Sequence, residues 1–394
     1  MSAPRSLPRQ PAGQGVALGR FGLHTAAGDQ PFALFAAAGA GLSLARPDTG
    51  IEPPGHDGLG REAVMACPVL EDLEIEYGER LAALALPALA RLLEEAGPGA
   101  FMKDTRILLL LPPQDSPRGG LLSPDALAAR LRQALDLPAD LPLEVRPVAV
   151  SLTAELRQAA QALSEGQAGR ILFGAVDSLL DPLTLDALGR ERRLLTGGTD
   201  GGCVPGEAAV FVELLPSAGA PSGCPRITAF AEAEEPEAGR PDETRLQGLQ
   251  RMLSQLAEQA GHSIEALDCL ALPLAGEPHR ALEWFQAANR LWPLRLDETR
   301  RLAMQQGEAD APQPDAPEDR EVLDPAGLLG DTGIVEPLLG LALACARFEF
   351  AWAPQDRAAV VETPDGGRAP LRAGMWVSLE ESSLGMSSKV EEAR

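Results

Sequence analysis

The stretch GRILFGAVDSLLDPLTLDALGRERRLLTGGTDGGCVPGEAAVFVELL, residues 169–215, decides how the rest of the chain is read. Its apolar run Ile171, Leu172 and Phe173, stopped by Gly174, predicts a buried strand delivered into a tight turn. A polar crossover follows. Gly201, Gly202 and the Pro205-Gly206 pair then bend the backbone, and residues 208–215 form a second unbroken apolar run. That is the pattern of a strand buried on both faces. Two core strands joined by a long loop, placed directly after a helix, form an unusual unit.

Working outward, 394 residues with 45% hydrophobic content can bury a large core, as one large domain or two closely packed ones. No segment reaches about 18 uninterrupted apolar residues, and no basic start leads into an apolar run and a cleavage site. The expectation is a soluble, cytoplasmic protein. Cys67, Cys203, Cys224, Cys269 and Cys345 are scattered and odd in number, which predicts free thiols rather than a disulfide framework or a zinc site. The four histidines, His24, His56, His262 and His279, share no ligand spacing, so neither a metal nor a cofactor is expected. A net charge of -23 excludes nucleic acid and anionic membrane as main partners, because phosphate binding needs a basic stripe.

Residues 1–14 read as a disordered lead-in and residues 15–24 as a first strand broken by glycines. Residues 39–71 read as loop. Helices are predicted over 79–96, 124–137 and 152–165, and strands over 106–111 and 143–149, the latter interrupted by Pro147. Past the breakers of 216–225 the order starts again. Strands are predicted over 226–230 and 267–272, near Val322, and over 358–363 and 375–379, with helices over 242–260, 278–291 and 334–348. The halves 15–216 and 225–380 therefore both read strand, helix, strand, helix, strand, helix, strand, strand. Right-handed crossovers would place helices on both faces of each sheet. The acidic, Pro-rich residues 304–320 and the tail 381–394 carry too little apolar surface to order themselves.

Residues 169–215 resemble the segment of β-ketoacyl synthases, in the thiolase-like superfamily, that reads roughly "aGGvd...dG...GEgAa..vLe". Residues 16–28 are similar to the opening "v.itG.G..t..G" strand, and Gly330, Thr332 and Gly333 match part of the "niGHt.gAAG" turn. The resemblance implies an α/β thiolase-like fold: duplicated βαβαβαββ halves in a layered α-β-α-β-α arrangement. It also implies acyltransferase chemistry built on one cysteine and two histidines. Counting back from Gly166 along the helix puts the cysteine position at Ala149, and a methyl group cannot attack a thioester. The motif like "v.aHgTgT" maps onto DCLALPLAGE, with Pro273 or Leu274 at the imidazole position. Asp331 stands at the other imidazole position and would repel a malonyl carboxylate and an enolate.

Ser151 is the only hydroxyl or thiol near enough to be considered as a substitute for the lost thiol, and it reads more simply as the N-cap of the following helix, with Glu155 in its first turn. Cys203 reads as a small core residue, Asp331 as a cap at Ile334, and His279 as a solvent-facing first-turn residue. The resemblance therefore implies a catalytically inactive, pseudoenzyme-like protein that binds other proteins. One form is a subunit like the chain-length factors of fatty-acid or polyketide synthases. It would pair as a homodimer or heterodimer through residues 143–149 and meet an acyl carrier protein. A second is an adaptor or chaperone for a type VI secretion effector, which the acidic surface and Pro-rich loop fit. A third is an active acyltransferase using Ser151.

Overall fold

The computed structural model describes residues 15–48, 62–72, 74–96, 104–238, 240, 245–274, 276–293, 302, 305–307, 320–350 and 357–379. The proposed lead-in and tail, and most of the Pro-rich loop, lie outside them.

The first half supplies β1 (Val16–Thr25), α1 (Pro31–Gly39), the short strands β2 (Arg46–Asp48) and β3 (Val64–Ala66), and α2 (Tyr77–Ala96). Then come β4 (Thr105–Leu111), α3 (Pro124–Ala134), β5 (Leu143–Pro147), α4 (Leu152–Ser164), β6 (Arg170–Ser178), α5 (Pro182–Arg190) and β7 (Glu207–Pro216). The second half supplies β8 (Pro225–Glu234), α6 (Gly248–Ala260), β9 (Cys269–Ala271), α7 (Pro278–Leu291) and β10 (Glu321–Leu323). It ends with α8 (Pro325–Leu329), α9 (Glu336–Phe350), β11 (Arg357–Glu362) and β12 (Leu371–Leu379).

Strand order is β10-β9-β11-β12-β8-β1-β7-β6-β4-β5. Cut between β8 and β1, which share only two register pairs, the sheet falls into two sets of five. Each set has the same internal order, third-second-fourth-fifth-first. Each also has the same directions: the second, third and fourth strands are parallel, and the fifth runs antiparallel to its neighbours. The duplication expected from the repeat of elements is therefore present strand by strand.

Alternation along the strands builds the layers. Ile171, Phe173 and Ala175 of β6 point into a central core, while Leu172 and Val176 point into an outer one beneath α2. In the second half Val360 and Met375 face the centre, and Val361 and Trp376 face α6. Two-faced burial is what an all-apolar strand requires. The central layer is α4 and α9, and α9 buries twelve of its fifteen residues, as a helix sandwiched between two sheets must. The layering is α-β-α-β-α.

Several boundaries depart from expectation. Gly174 does not end its strand, because β6 runs on to Ser178. A Cβ on Gly174 would lie 2.3 Å from the Phe211 ring, so the glycine marks close packing within the strand rather than a turn. Residues 39–71 hold the β2/β3 pair, and the crossover after β6 holds α5, capped by Asp181. The helix expected over 242–260 starts at Gly248, where the Glu235 carboxylate accepts from the amides of Gln247 and Gly248. The strand expected over 143–149 stops at Pro147.

Candidate functional site

A cavity of about 520 Å³ opens where the two halves meet. It lies beyond the C-terminal ends of β4, β5, β6 and β11 and at the N-termini of α4 and α9. In open parallel sheets this is the usual place for a ligand crevice.

The start of α4 forms one wall. Ser151 is the N-cap: its Oγ accepts from the Ala154 amide at 3.0 Å, and the residue is 1% exposed. Glu155 accepts from the Ala149 amide at 3.2 Å and pairs with Arg146 at 2.6 Å. The two remaining first-turn amides go to the other half of the molecule. Leu152 and Thr153 each donate at 2.8 Å to one oxygen of the Glu362 carboxylate. Burial raises the Glu362 carboxyl above its usual range, with these hydrogen bonds opposing. A helix N-terminus that could have stabilised a thiolate is thus filled by the chain's own anion.

The approach to α9 forms the facing wall. Asp331 Oδ1 accepts from Gly333 N at 2.9 Å, while Ile334 N donates at 3.1 Å to Asp177 at the end of β6. A Cβ on Gly333, whose φ is +60°, would lie 2.0 Å from that carboxylate, so only glycine lets Asp177 reach the turn that leads into α9. Arg118 holds Asp177 through two 2.7 Å bonds and the Tyr77 hydroxyl donates to it at 3.2 Å. Arg280 of α7 bridges Asp331 at 3.1 Å and Glu336 at 3.3 Å. Burial pushes the Glu336 carboxyl up to about 8, with Arg280 opposing and Asp331 adding. Arg193 pairs with Glu277 at 2.8 Å and with Asp365 at 3.0 Å. The arginines facing the cavity are therefore all engaged by carboxylates.

The sequence matches no family model and no curated relative. Solved structures do match. The ishigamide ketosynthase/chain length factor aligns at 16% identity and a TM-score of 0.61, over 93% of this chain and 100% of its own. A type II polyketide ketosynthase in complex with its acyl carrier protein aligns at 10% identity and a TM-score of 0.66, over 93% and 99%. The ketosynthase from module 6 of the bacillaene synthase of Bacillus subtilis 168 aligns at 14% and 0.61, over 94% and 71%. This chain has the ketosynthase fold.

Within the ketosynthase fold, the residues singled out from sequence divide into two groups. Ala149 and Asp331 line the junction cavity together with Cys203. Pro273, buried, and Leu274, partly buried, follow the end of β9 and do not line it, and Ser151 is turned inward as a cap. Asp331 caps Gly333 rather than Ile334, whose amide belongs to Asp177. His279 is not solvent-facing: it is half-buried and its Nε2 donates to the Gly366 carbonyl at 2.5 Å. Cys203 is 2% exposed, and burial first, then Asp331, pushes its thiol well above the usual range. Arg280 opposes that shift but is already bonded to Asp331 and Glu336. Asp177, Arg280, Glu336 and Glu362 escaped the sequence reading. The available signal was charge in otherwise apolar surroundings: Asp177 after the run ILFGAV, Glu336 opening an apolar helix, and Glu362 after Ala358–Val361.

Proposed function

We propose that this ketosynthase-fold protein does not condense acyl thioesters and works by holding a protein partner. One observation carries the reading. The junction cavity offers carboxylates and neutralised arginines, no imidazole among the described residues that line it, and a thiol held protonated. Condensation needs a thiolate and positive potential where an enolate forms, and this lining supplies neither. The test is intact-mass analysis after incubation with acyl and malonyl thioesters. Unmodified protein and no released carbon dioxide are expected. A stable adduct on Cys203 or Ser151 would overturn the reading.

The partner we favour is a second thiolase-like chain, in the manner of a chain-length factor. Support comes from β5, which among the described residues pairs only with β4 and stands at the edge of the sheet. Solved neighbours include a ketosynthase/chain length factor. A net charge of -23 favours a second reading, an adaptor for a more basic partner such as a type VI secretion effector, over docking of an acidic acyl carrier protein. Cross-linked pull-down separates the two: a ketosynthase with an intact Cys-His-His set supports the first, a toxin or spike protein the second.

A further inference from the structure

The duplication relates two carboxylates that otherwise look unconnected. β6 pairs with β4 as far as Ala175, and β11 pairs with β9 as far as Val360. Two residues further along each strand stand Asp177 and Glu362. Each reaches across the junction to where the chain enters the central helix of the other half. Asp177 accepts from Ile334 in the 3-10 turn Gly333–Val335 that leads into α9, and Glu362 from Leu152 and Thr153 at the start of α4. The chain thus carries a pseudo-twofold pair of crossed caps.

The two caps are not equivalent in strength. Asp177 is clamped by both nitrogens of the Arg118 fork and by a tyrosine hydroxyl. Glu362 makes no ion pair among the described residues, and Glu232 adds repulsion. What balances its charge is the pair of α4 amides and the dipole behind them. Two amides at 2.8 Å, one to each carboxylate oxygen, form a two-pronged seat for a planar anion, and that seat lies against the cavity because Glu362 itself lines it.

We propose that Glu362 is an internal ligand, filling in cis a carboxylate site at the start of α4 that accepts a small external carboxylate once this side chain is cut back. The inference deepens the proposal that the junction is chemically silent, since the seat beside the lost nucleophile is occupied by the protein itself. It concerns a built-in occupant that is held by two amide hydrogen bonds, with no ion pair among the described residues.

The test uses the full chain and formate or acetate as probes, with chloride at matched ionic strength as control. In Glu362→Ala, the melting temperature should fall by about 3–6 °C as two buried amides lose their acceptor. Formate or acetate at tens of millimolar should restore at least half of that loss, while the parent protein responds no differently from the chloride control. An Ala variant that melts like the parent, or that acetate does not restore beyond chloride, overturns the proposal. Should that variant not fold, Glu362→Gln decides through the amide protons of Leu152 and Thr153. Both should move upfield by several tenths of a ppm, and unmoved resonances overturn it. Neither readout involves acyl transfer. A failed rescue therefore leaves the non-condensing reading standing, and an acyl-protein adduct would end that reading without touching the rescue.

Discussion

Glu336 is where the chemistry of single residues is most exposed to measurement. Its carboxyl is fully buried at the start of α9 and pushed up to about 8, so the folded protein holds this proton more tightly than the unfolded chain does. The stability that this adds is complete below the ordinary carboxyl value and is lost as pH rises toward 8. Glu336→Gln keeps an acceptor for Arg280 without the titration. The unfolding free energy of the parent, read by urea titration, should therefore fall relative to that of the variant between pH 5 and 8, by up to about 1.4 kcal/mol per pH unit, and then run parallel to it. Parallel curves throughout would show that the carboxyl titrates normally. Cys203 gives a second test at this scale. Its thiol should stay unlabelled by iodoacetamide at pH 8 in the folded protein and react once urea is added, as peptide mapping reads out. Legibility at this scale followed sequence distance. Ser151 as a cap was readable because its acceptor role lies three residues from its donor. Glu362 was not, because its partners lie 210 and 209 residues away.

Elements show the same division between local and distant causes. The end of β6 and the start of β7 are locked by one ion pair: Arg80 of α2, 2% exposed, donates at 2.6 and 2.8 Å to the two oxygens of Glu207. Glu207 also accepts from the amides of Val69 and Leu70 and from the Ser178 hydroxyl. The Gly-Glu of the "GEgA" motif is therefore structural here, tying a helix, a loop and two strands. Arg80→Ala leaves a buried carboxylate without its cation and should cost about 3–5 kcal/mol in urea unfolding, and a loss under 1 kcal/mol would contradict the role assigned to the pair. Gly174→Ala should destabilise by about 1–3 kcal/mol through overpacking on Phe211, and the double variant with Phe211→Leu should recover part of it. Strand content was legible from the apolar runs of β4, β6 and β7. The extent of β6 was not, because a glycine that ends a strand and one that admits a ring read alike in sequence.

At the scale of the whole molecule the repeat of elements was legible, since each half spells its strands and helices in the same order. How the halves use their edges depends on register. Ile107 N donates to Pro142 O and Val148 N to Leu111 O, so the even-numbered residues of β5 turn their backbone groups toward β4. Alternation then points those of Leu143, Val145 and Pro147 outward. Pro147 thus sacrifices a donor only on the edge that no strand among the described residues covers, where proline is tolerated. A two-fold antiparallel pairing centred on Val145 would keep both bonds of the central pair and, of the two bonds in each flanking pair, lose only the one Pro147 cannot donate. Val145→Pro removes the central donors while leaving every bond to β4 in place. Size-exclusion chromatography with light scattering should therefore show the variant folding like the parent but shifted toward monomer, whether the assembled form contains one kind of chain or two. Pro147→Val should shift it the other way. If Val145→Pro associates as the parent does, the open edge of β5 is not the surface through which this protein meets its partner.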